Sequence, residues 1–219
     1  MRVAAVVPAA GSGERLGAGL PKALVEVAGV AMVTRAVDGL LASGIVDDVI
    51  VVAPAEHLEA MRAVVPTTAR VVPGGHDRVA SVACGLQAIG CADVVLVHDA
   101  ARCLCPPEVV RAVAKAVGDG HVAVVPAIPV ADTVRRADAE GRVVLVDRTG
   151  LLAVQTPQGF DPAVLRRAHE AAGDNRATDD AGLVEAIGAE VVTVPGDPRA
   201  FKVTSPLDLA MADALARLT

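Results

Sequence analysis

The chain has 219 residues, enough for one domain with a full core, and 53% of them are hydrophobic, mostly Ala and Val. Two Phe with no Trp or Tyr exclude a protein that stacks bases on aromatic platforms, and a net charge of −6 argues against a nucleic-acid or anionic-membrane surface. No apolar stretch approaches the roughly 20 residues that span a bilayer.

Taken in chain order, Val3-Ala4-Ala5-Val6-Val7 reads as a buried strand. Arg2 and this run resemble the start of a signal peptide, but Pro8 cuts it too short, so the chain reads as cytoplasmic. Its four cysteines, Cys84, Cys91, Cys103 and Cys105, then read as reduced thiols, and Cys103-Leu104-Cys105 lacks the paired spacing of a structural zinc site. The loop Pro8-Ala9-Ala10-Gly11-Ser12-Gly13-Glu14-Arg15-Leu16, with Pro21 and Lys22 beyond it, follows the strand directly. Small residues let a ligand reach backbone N–H groups, and Arg15 and Lys22 add two positive charges, an arrangement suited to a polyphosphate. The alternative is an ordinary Gly-rich connection with two solvated charges. The spacing fits neither G-x-x-x-x-G-K-[ST] nor G-x-G-x-x-G, because Lys22 follows Pro21 and Gly17 comes one place late.

Val33, Ala36, Val37, Leu40 and Leu41 repeat with helical spacing up to Gly44. Val49 to Val52 is the next strand, Glu56 to Ala63 a short helix, and Arg70-Val71-Val72 a third strand running into Pro73-Gly74-Gly75. Helix is predicted from Asp77 to Ile89, strand over Val94 to Val97, helix from Pro106 to Val117, and strand over Val122 to Val125. Val-rich strands alternating with helices imply a parallel sheet covered on both faces, with ligands outside the carboxyl ends of its strands. The loops at 8–22, 74–81 and 98–102 should therefore meet on one rim. Near the end, Leu207, Ala210, Met211, Ala214, Leu215 and Leu218 form a helical stripe behind Ser205 as N-cap and Pro206 at the first helical position.

Val130 to Asp147 breaks the pattern. Two charged, extended stretches flank Asp138-Ala139-Glu140-Gly141, the signature of a hairpin. A lone hairpin is marginal in water, so it packs either on its own domain or on another subunit.

Asp99, in His98-Asp99-Ala100-Ala101-Arg102, stands at a strand's carboxyl end, where a carboxylate serves Mg²⁺, a sugar hydroxyl or the neighbouring arginine. The Gly74-Gly75 loop leads through Ser81 into a helix and gives close access to a base or ribose. Arg148 and Lys202 are further cations at strand ends; each alone reads as a surface ion pair, and together with Arg15 and Lys22 they suit two anionic substrates.

The motifs Ala9-Ala10-Gly11-x-Gly13-x-Arg15 with Pro21-Lys22, Gly74-Gly75-x-x-Arg78-x-x-Ser81-Val82, and His98 to Arg102 occur in a fixed order. Asp132-Thr133, Asp147-Arg148, Thr156-Pro157-Gln158, Thr178-Asp179-Asp180-Ala181 and Lys202-Val203-Thr204 continue it. From Arg2 to its end the chain resembles the 2-C-methyl-D-erythritol 4-phosphate cytidylyltransferase family of non-mevalonate isoprenoid precursor biosynthesis.

The resemblance implies an α/β fold: a Rossmann-like three-layer sandwich with a mostly parallel sheet, residues 1–219 forming one nucleotidyltransferase domain. A β-arm at about 130–148 would project from it and be exchanged across a homodimer. CTP and 2-C-methyl-D-erythritol 4-phosphate would be the substrates and Mg²⁺, or another divalent cation, the cofactor. The resemblance further implies that Ala9, Ala10, Gly11, Gly13, Gly75, Ser81, Asp99 and Ala100 surround the nucleotide, while Arg15 and Lys22 hold the triphosphate. Arg148 and Lys202, with Arg102, Thr133, Thr156 and Thr204, would position the acceptor phosphate, and Asp99 would be the one protein ligand to a metal held mostly by CTP. Three residues depart from the family: Cys103 stands where Pro is frequent and removes no functional group, His76 stands where a polar or acidic residue is frequent, and Gly182 stands where Ser is usual. Two other readings of the residues remain open at this point: a cytidylyltransferase for another polyol phosphate, such as ribitol 5-phosphate, and a non-catalytic nucleotide-binding subunit.

Overall fold

The computed structural model describes residues 1–10, 21–173 and 178–218. Strands β1 (Val3–Pro8), β4 (Asp48–Ala53), β5 (Ala69–Pro73) and β6 (Val94–Val97) lie parallel in the order β6-β1-β4-β5. Between them come a short hairpin of β2 (Glu26–Val27) and β3 (Val30–Ala31), then α1 (Met32–Ala42), α2 (Leu58–Val64) and α3 (Arg78–Ala88). Because α3 lies close on β1 and β4, a Cβ at Gly85 would run into the Val6 and Val52 side chains.

Alternate residues of the strands face opposite sides, which is why continuous Val-rich runs build two cores. Val3, Ala5, Val7, Val49, Val51 and Leu96 pack against α1, α2 and α4 (Pro107–Gly118). Ala4, Val6, Ile50, Val52, Val95 and Val97 pack against α3, α5 (Pro162–Glu170) and α6 (Asp180–Ala186). Three layers result, as expected from the alternation of strands and helices.

The sheet is not parallel throughout. β7 (Ala123–Pro129) is joined to β6 through β11 (Gln158–Phe160), which is antiparallel to both. β10 (Leu152–Val154) also pairs antiparallel with β7, whereas β12 (Val192–Pro195) pairs with it in parallel. The chain between β7 and β10 leaves this sheet altogether. There β8 (Arg135–Ala137) and β9 (Val143–Leu145) pair only with each other, and all six residues are exposed.

The last helix, α7 (Pro206–Ala216), begins as expected, with Ser205 as N-cap and Pro206 in its first turn. Its buried face differs from the expected stripe. Ala212, with Leu209 and Ala216, packs into a third core of Val27, Met32, Cys103 and Val203, while Leu207 and Met211 are 70% and 48% exposed. The helix is apolar on both sides, so spacing alone could not select the inner one. Among the described residues, no helix is long and apolar enough to cross a membrane.

Candidate active site

The parallel strands deliver their following loops to one rim, and contacts across it tie those loops together. Ala9, nearly buried, donates its N–H to the Val52 carbonyl at 2.8 Å, and Ala10 is half-buried. Gly11, Gly13 and Arg15 lie outside the described residues. Lys22 opens a short 3-10 turn, Lys22–Leu24, and is half-buried. Burial pushes the Cys103 thiol, in the loop after β6, up to about 11 against the pull of the Arg35 and Lys22 charges.

The second loop folds as a tight entry to α3. Asp77 caps the helix by accepting from Ala80 N at 2.7 Å, and a Cβ at Gly75 would run into Ala80. Ser81 is fully buried and donates its hydroxyl to the Asp77 carbonyl at 2.7 Å. That bond fixes the turn, and Gly74 N–H donates to the Ala53 carbonyl at 2.8 Å, tying the Gly-Gly segment to the end of β4.

Asp99 is the centre of the arrangement. Its Oδ2 accepts from Lys202 Nζ at 2.7 Å, and its Oδ1 lies 3.6 Å from Arg78 Nη2. Burial alone would raise the Asp99 pKa, but the Lys202 and Arg78 charges outweigh it and hold the group at about 2. Arg78 has its own opposition: burial pulls its pKa down, and the Asp180 and Asp99 carboxylates push it up further. Lys202 reaches Asp99 because Val203 N donates to the Ala101 carbonyl at 2.9 Å and the Val203 side chain is buried in the third core. A residue near the C-terminus is thereby joined to the loop after β6.

Thr156 supports the same loop from beneath. Its hydroxyl oxygen accepts from Asp99 N at 3.0 Å and lies 3.0 Å from His98 Nδ1. Burial lowers the His98 pKa to about 4. The ring is therefore neutral at pH 7, with Nδ1 in hydrogen-bond contact with the threonine hydroxyl. Ala100 is buried behind this loop. Arg102 turns inward: Nη1 donates to the Ala200 carbonyl at 2.7 Å and Nη2 to the Val154 carbonyl at 3.2 Å. These bonds make it a brace between the rim loop, β10 and the segment before Lys202. Thr204 donates its hydroxyl to Asp208 at 2.7 Å and stands two residues from Lys202.

Thr133 and Arg148 occupy the base of the arm, both exposed, with Arg148 Nη1 donating to the Ala131 carbonyl. Among the described residues, no hydrogen bond or ion pair joins either to Asp99, Arg78 or Lys202. Arg148 borders an open groove of about 610 Å³ lined also by Val130, Ala131, Thr149, Leu151 and Leu152.

Two charged participants were left without a role by the sequence reading, Arg78 and Asp180, although both sit inside motifs that it singled out. Their signal was the pairing of an arginine in one rim loop with a buried aspartate at a helix start far along the chain, which only the fold brings to 2.8 Å. Asp99 supplies one hard oxygen donor of the kind Mg²⁺ takes beside substrate phosphates. Among the described residues, no group of three or more His, Cys, Asp or Glu could hold a metal alone.

An ionised carboxylate between two cations, set at the carboxyl rim of a mostly parallel sheet among Gly-rich loops, marks an α/β protein with its ligand site at the strand ends. The family model for 2-C-methyl-D-erythritol 4-phosphate cytidylyltransferase matches residues 3–217, and the chain belongs to that family. It is 52% identical over 214 residues to the enzyme of that description from Rhodococcus opacus (strain B4), covering 97% of this chain and 94% of the relative. To that of Saccharopolyspora erythraea it is 54% identical over 223 residues, covering 98% and 99%. The crystal structure of 2-C-methyl-D-erythritol 4-phosphate cytidylyltransferase from Thermus thermophilus superposes with a TM-score of 0.84 at 37% identity, over 99% of this chain and all of that one.

Proposed function

We propose that the chain transfers a cytidylyl group from CTP to 2-C-methyl-D-erythritol 4-phosphate, releasing pyrophosphate, in isoprenoid precursor biosynthesis. An oxygen of the acceptor's phosphate monoester attacks the α-phosphorus of CTP in line. The new P–O bond forms as the bond to the β-phosphate oxygen breaks, and pyrophosphate carries away that electron pair. Two anions must approach each other, so charge neutralisation is the main task and no protein nucleophile is needed.

Lys22 and Arg15 bind the triphosphate. Lys202 meets the acceptor phosphate, with Thr204 beside it and Arg102 and Thr156 bracing the loop from below. Ala9, Ala10, Gly75, Ser81 and Ala100, together with Gly11 and Gly13, bind the nucleotide. Mg²⁺ or another divalent cation would be held mainly by the CTP phosphates, with Asp99 as its protein ligand, and would supply further charge neutralisation. The protein acts as a homodimer in which Thr133 and Arg148 of each arm serve the partner's site; their position at the base of a hairpin outside the main sheet supports this. A cytoplasmic setting fits its four free thiols.

The observation that carries this reading is the Lys202–Asp99 pair, which unites the third motif and the last one at a single rim. The test is pyrophosphate release with CTP and each acceptor. Methylerythritol phosphate should turn over, and activity with ribitol 5-phosphate alone would sink the assignment. In Lys22→Ala, loss of one contact to the transferring phosphates, worth about 2–4 kcal/mol, should lower kcat by orders of magnitude while the protein stays folded.

A further inference from the structure

The charges at the rim continue inward. Arg78 Nη2 is 2.8 Å from Asp180 Oδ2, and Asp180 Oδ1 is 2.9 Å from His169 Nε2. The side chains of Asp180 and His169 are 0% and 4% exposed, against 42% for Lys202. His169 lies in the last turn of α5, Asp180 opens α6, and Arg78 opens α3. The row His169–Asp180–Arg78–Asp99–Lys202 thus runs from the second core to the rim.

A fully buried carboxylate persists only when it is paired and hydrogen-bonded. Arg78 supplies the charge beside Asp180 Oδ2, which has no hydrogen-bond partner, and His169 supplies the hydrogen bond on Oδ1. His169 Nδ1 is buried with no hydrogen-bond partner. A proton there would be a donor without an acceptor, so the ring carries its hydrogen on Nε2 and donates to Asp180. Arg78 has two carboxylates within reach and stands closer to Asp180, at 2.8 Å, than to Asp99, at 3.6 Å. Lys202, at 2.7 Å, is therefore the nearer cation on Asp99.

We propose that His169 and Asp180 form a buried positioning pair for the transfer site: His169 orients the Asp180 carboxylate, which holds Arg78 back from Asp99 so that Asp99 keeps Lys202 in place. The inference rests on Lys202 meeting the acceptor phosphate. Without the His169 donor the buried carboxylate turns, and Arg78, whose planar fork can span both oxygens of a carboxylate, closes on Asp99 and takes the Oδ2 that Lys202 holds. Lys202 is then displaced from its anchor. The deficit should fall on the acceptor and spare the nucleotide.

The test compares His169→Leu and His169→Gln by steady-state pyrophosphate release, varying CTP and methylerythritol phosphate separately. His169→Leu should raise KM for methylerythritol phosphate about tenfold, the size of a lost hydrogen bond to a charged group, with KM for CTP unchanged. His169→Gln, whose amide N–H can replace Nε2–H, should recover most of that loss. An unchanged acceptor KM in His169→Leu, or both KM values rising in step with a lowered Tm in both variants, would overturn the proposal. Should His169→Leu not fold, nitrogen NMR of the wild-type imidazole decides: the neutral Nε2–H tautomer is expected, and an Nδ1–H tautomer refutes the pairing. A wild type with no turnover of methylerythritol phosphate would instead sink the assigned reaction, and the tautomer would then report on the Asp180 contact alone.

Discussion

Asp99 shows how one carboxylate can be held ionised in a nearly closed place. Its backbone N–H goes to Thr156, its two oxygens face Lys202 and Arg78, and the charge of the group is thereby fixed at neutral pH. Thr156 carries more of this than its small side chain suggests, because one hydroxyl satisfies both the buried Asp99 N–H and the His98 Nδ1. Replacing it with Val keeps the shape but leaves the buried Asp99 N–H and the buried His98 Nδ1 unmatched. Each unmatched group costs about 1–3 kcal/mol, so Thr156→Val should lower the unfolding free energy by an amount in that range or above it. Thr156→Ser restores the hydroxyl and should stay near the wild type. Urea denaturation of the two variants measures the difference directly.

Among the elements, α7 sets the height of the acceptor side of the rim, because Lys202 and Thr204 lie just before its first turn. Ser205 Oγ accepts from Asp208 N at 3.2 Å, and Asp208 Oδ2 takes the N–H groups of Thr204 and Ser205, each at 2.8 Å. Loss of this N-cap in Ser205→Ala should cost about 1 kcal/mol. The hydrogen bonds from Thr204 and Ser205 outweigh burial and lower the Asp208 pKa to about 2. A depressed acid stabilises the folded form above its ordinary pKa near 3.8 and loses that contribution as pH falls towards 2. Wild type should therefore lose part of its advantage in Tm over Asp208→Asn between about pH 6 and pH 2, and a constant difference would contradict the capping role. The start of α7 was legible in Ser205-Pro206, since caps are local. Its buried face was not, because Leu209, Ala212 and Ala216 compete with an equally apolar stripe. The same distinction runs through the fold. β1, β4 and β6 were readable as Val runs, whereas β10, β11 and β12 are three or four residues long and exist through pairing with β7. At the site, strand-end loops announced Asp99 and Lys202 singly, but nothing in the sequence could place them 2.7 Å apart.

At the scale of the whole molecule, the arm is a pair of strands that the main sheet does not hold. Val143, Val144 and Leu145 are 53%, 55% and 65% exposed on it, and three consecutive apolar residues on a two-stranded ribbon favour burial against another surface. If that surface belongs to a second copy, Arg148 of one chain completes the other chain's site, and the two defects Arg148→Ala and Lys22→Ala are distributed unevenly between the sites of a mixed dimer. One site then combines an intact Lys22 with an intact partner arm, and the other combines both lesions. Each homodimer is inactive or severely weakened, so activity that appears on mixing reports only the mixed species. With random exchange half of the dimers are mixed and half of their sites are whole, so about a quarter of wild-type activity should return, as for any exchanged element in a twofold dimer. Co-expression of the two variants, followed by the pyrophosphate assay and light scattering, gives activity and mass on one sample. An arm that folds back on its own subunit would yield a dimer or monomer with no recovery at all, because every chain would still carry its own lesion.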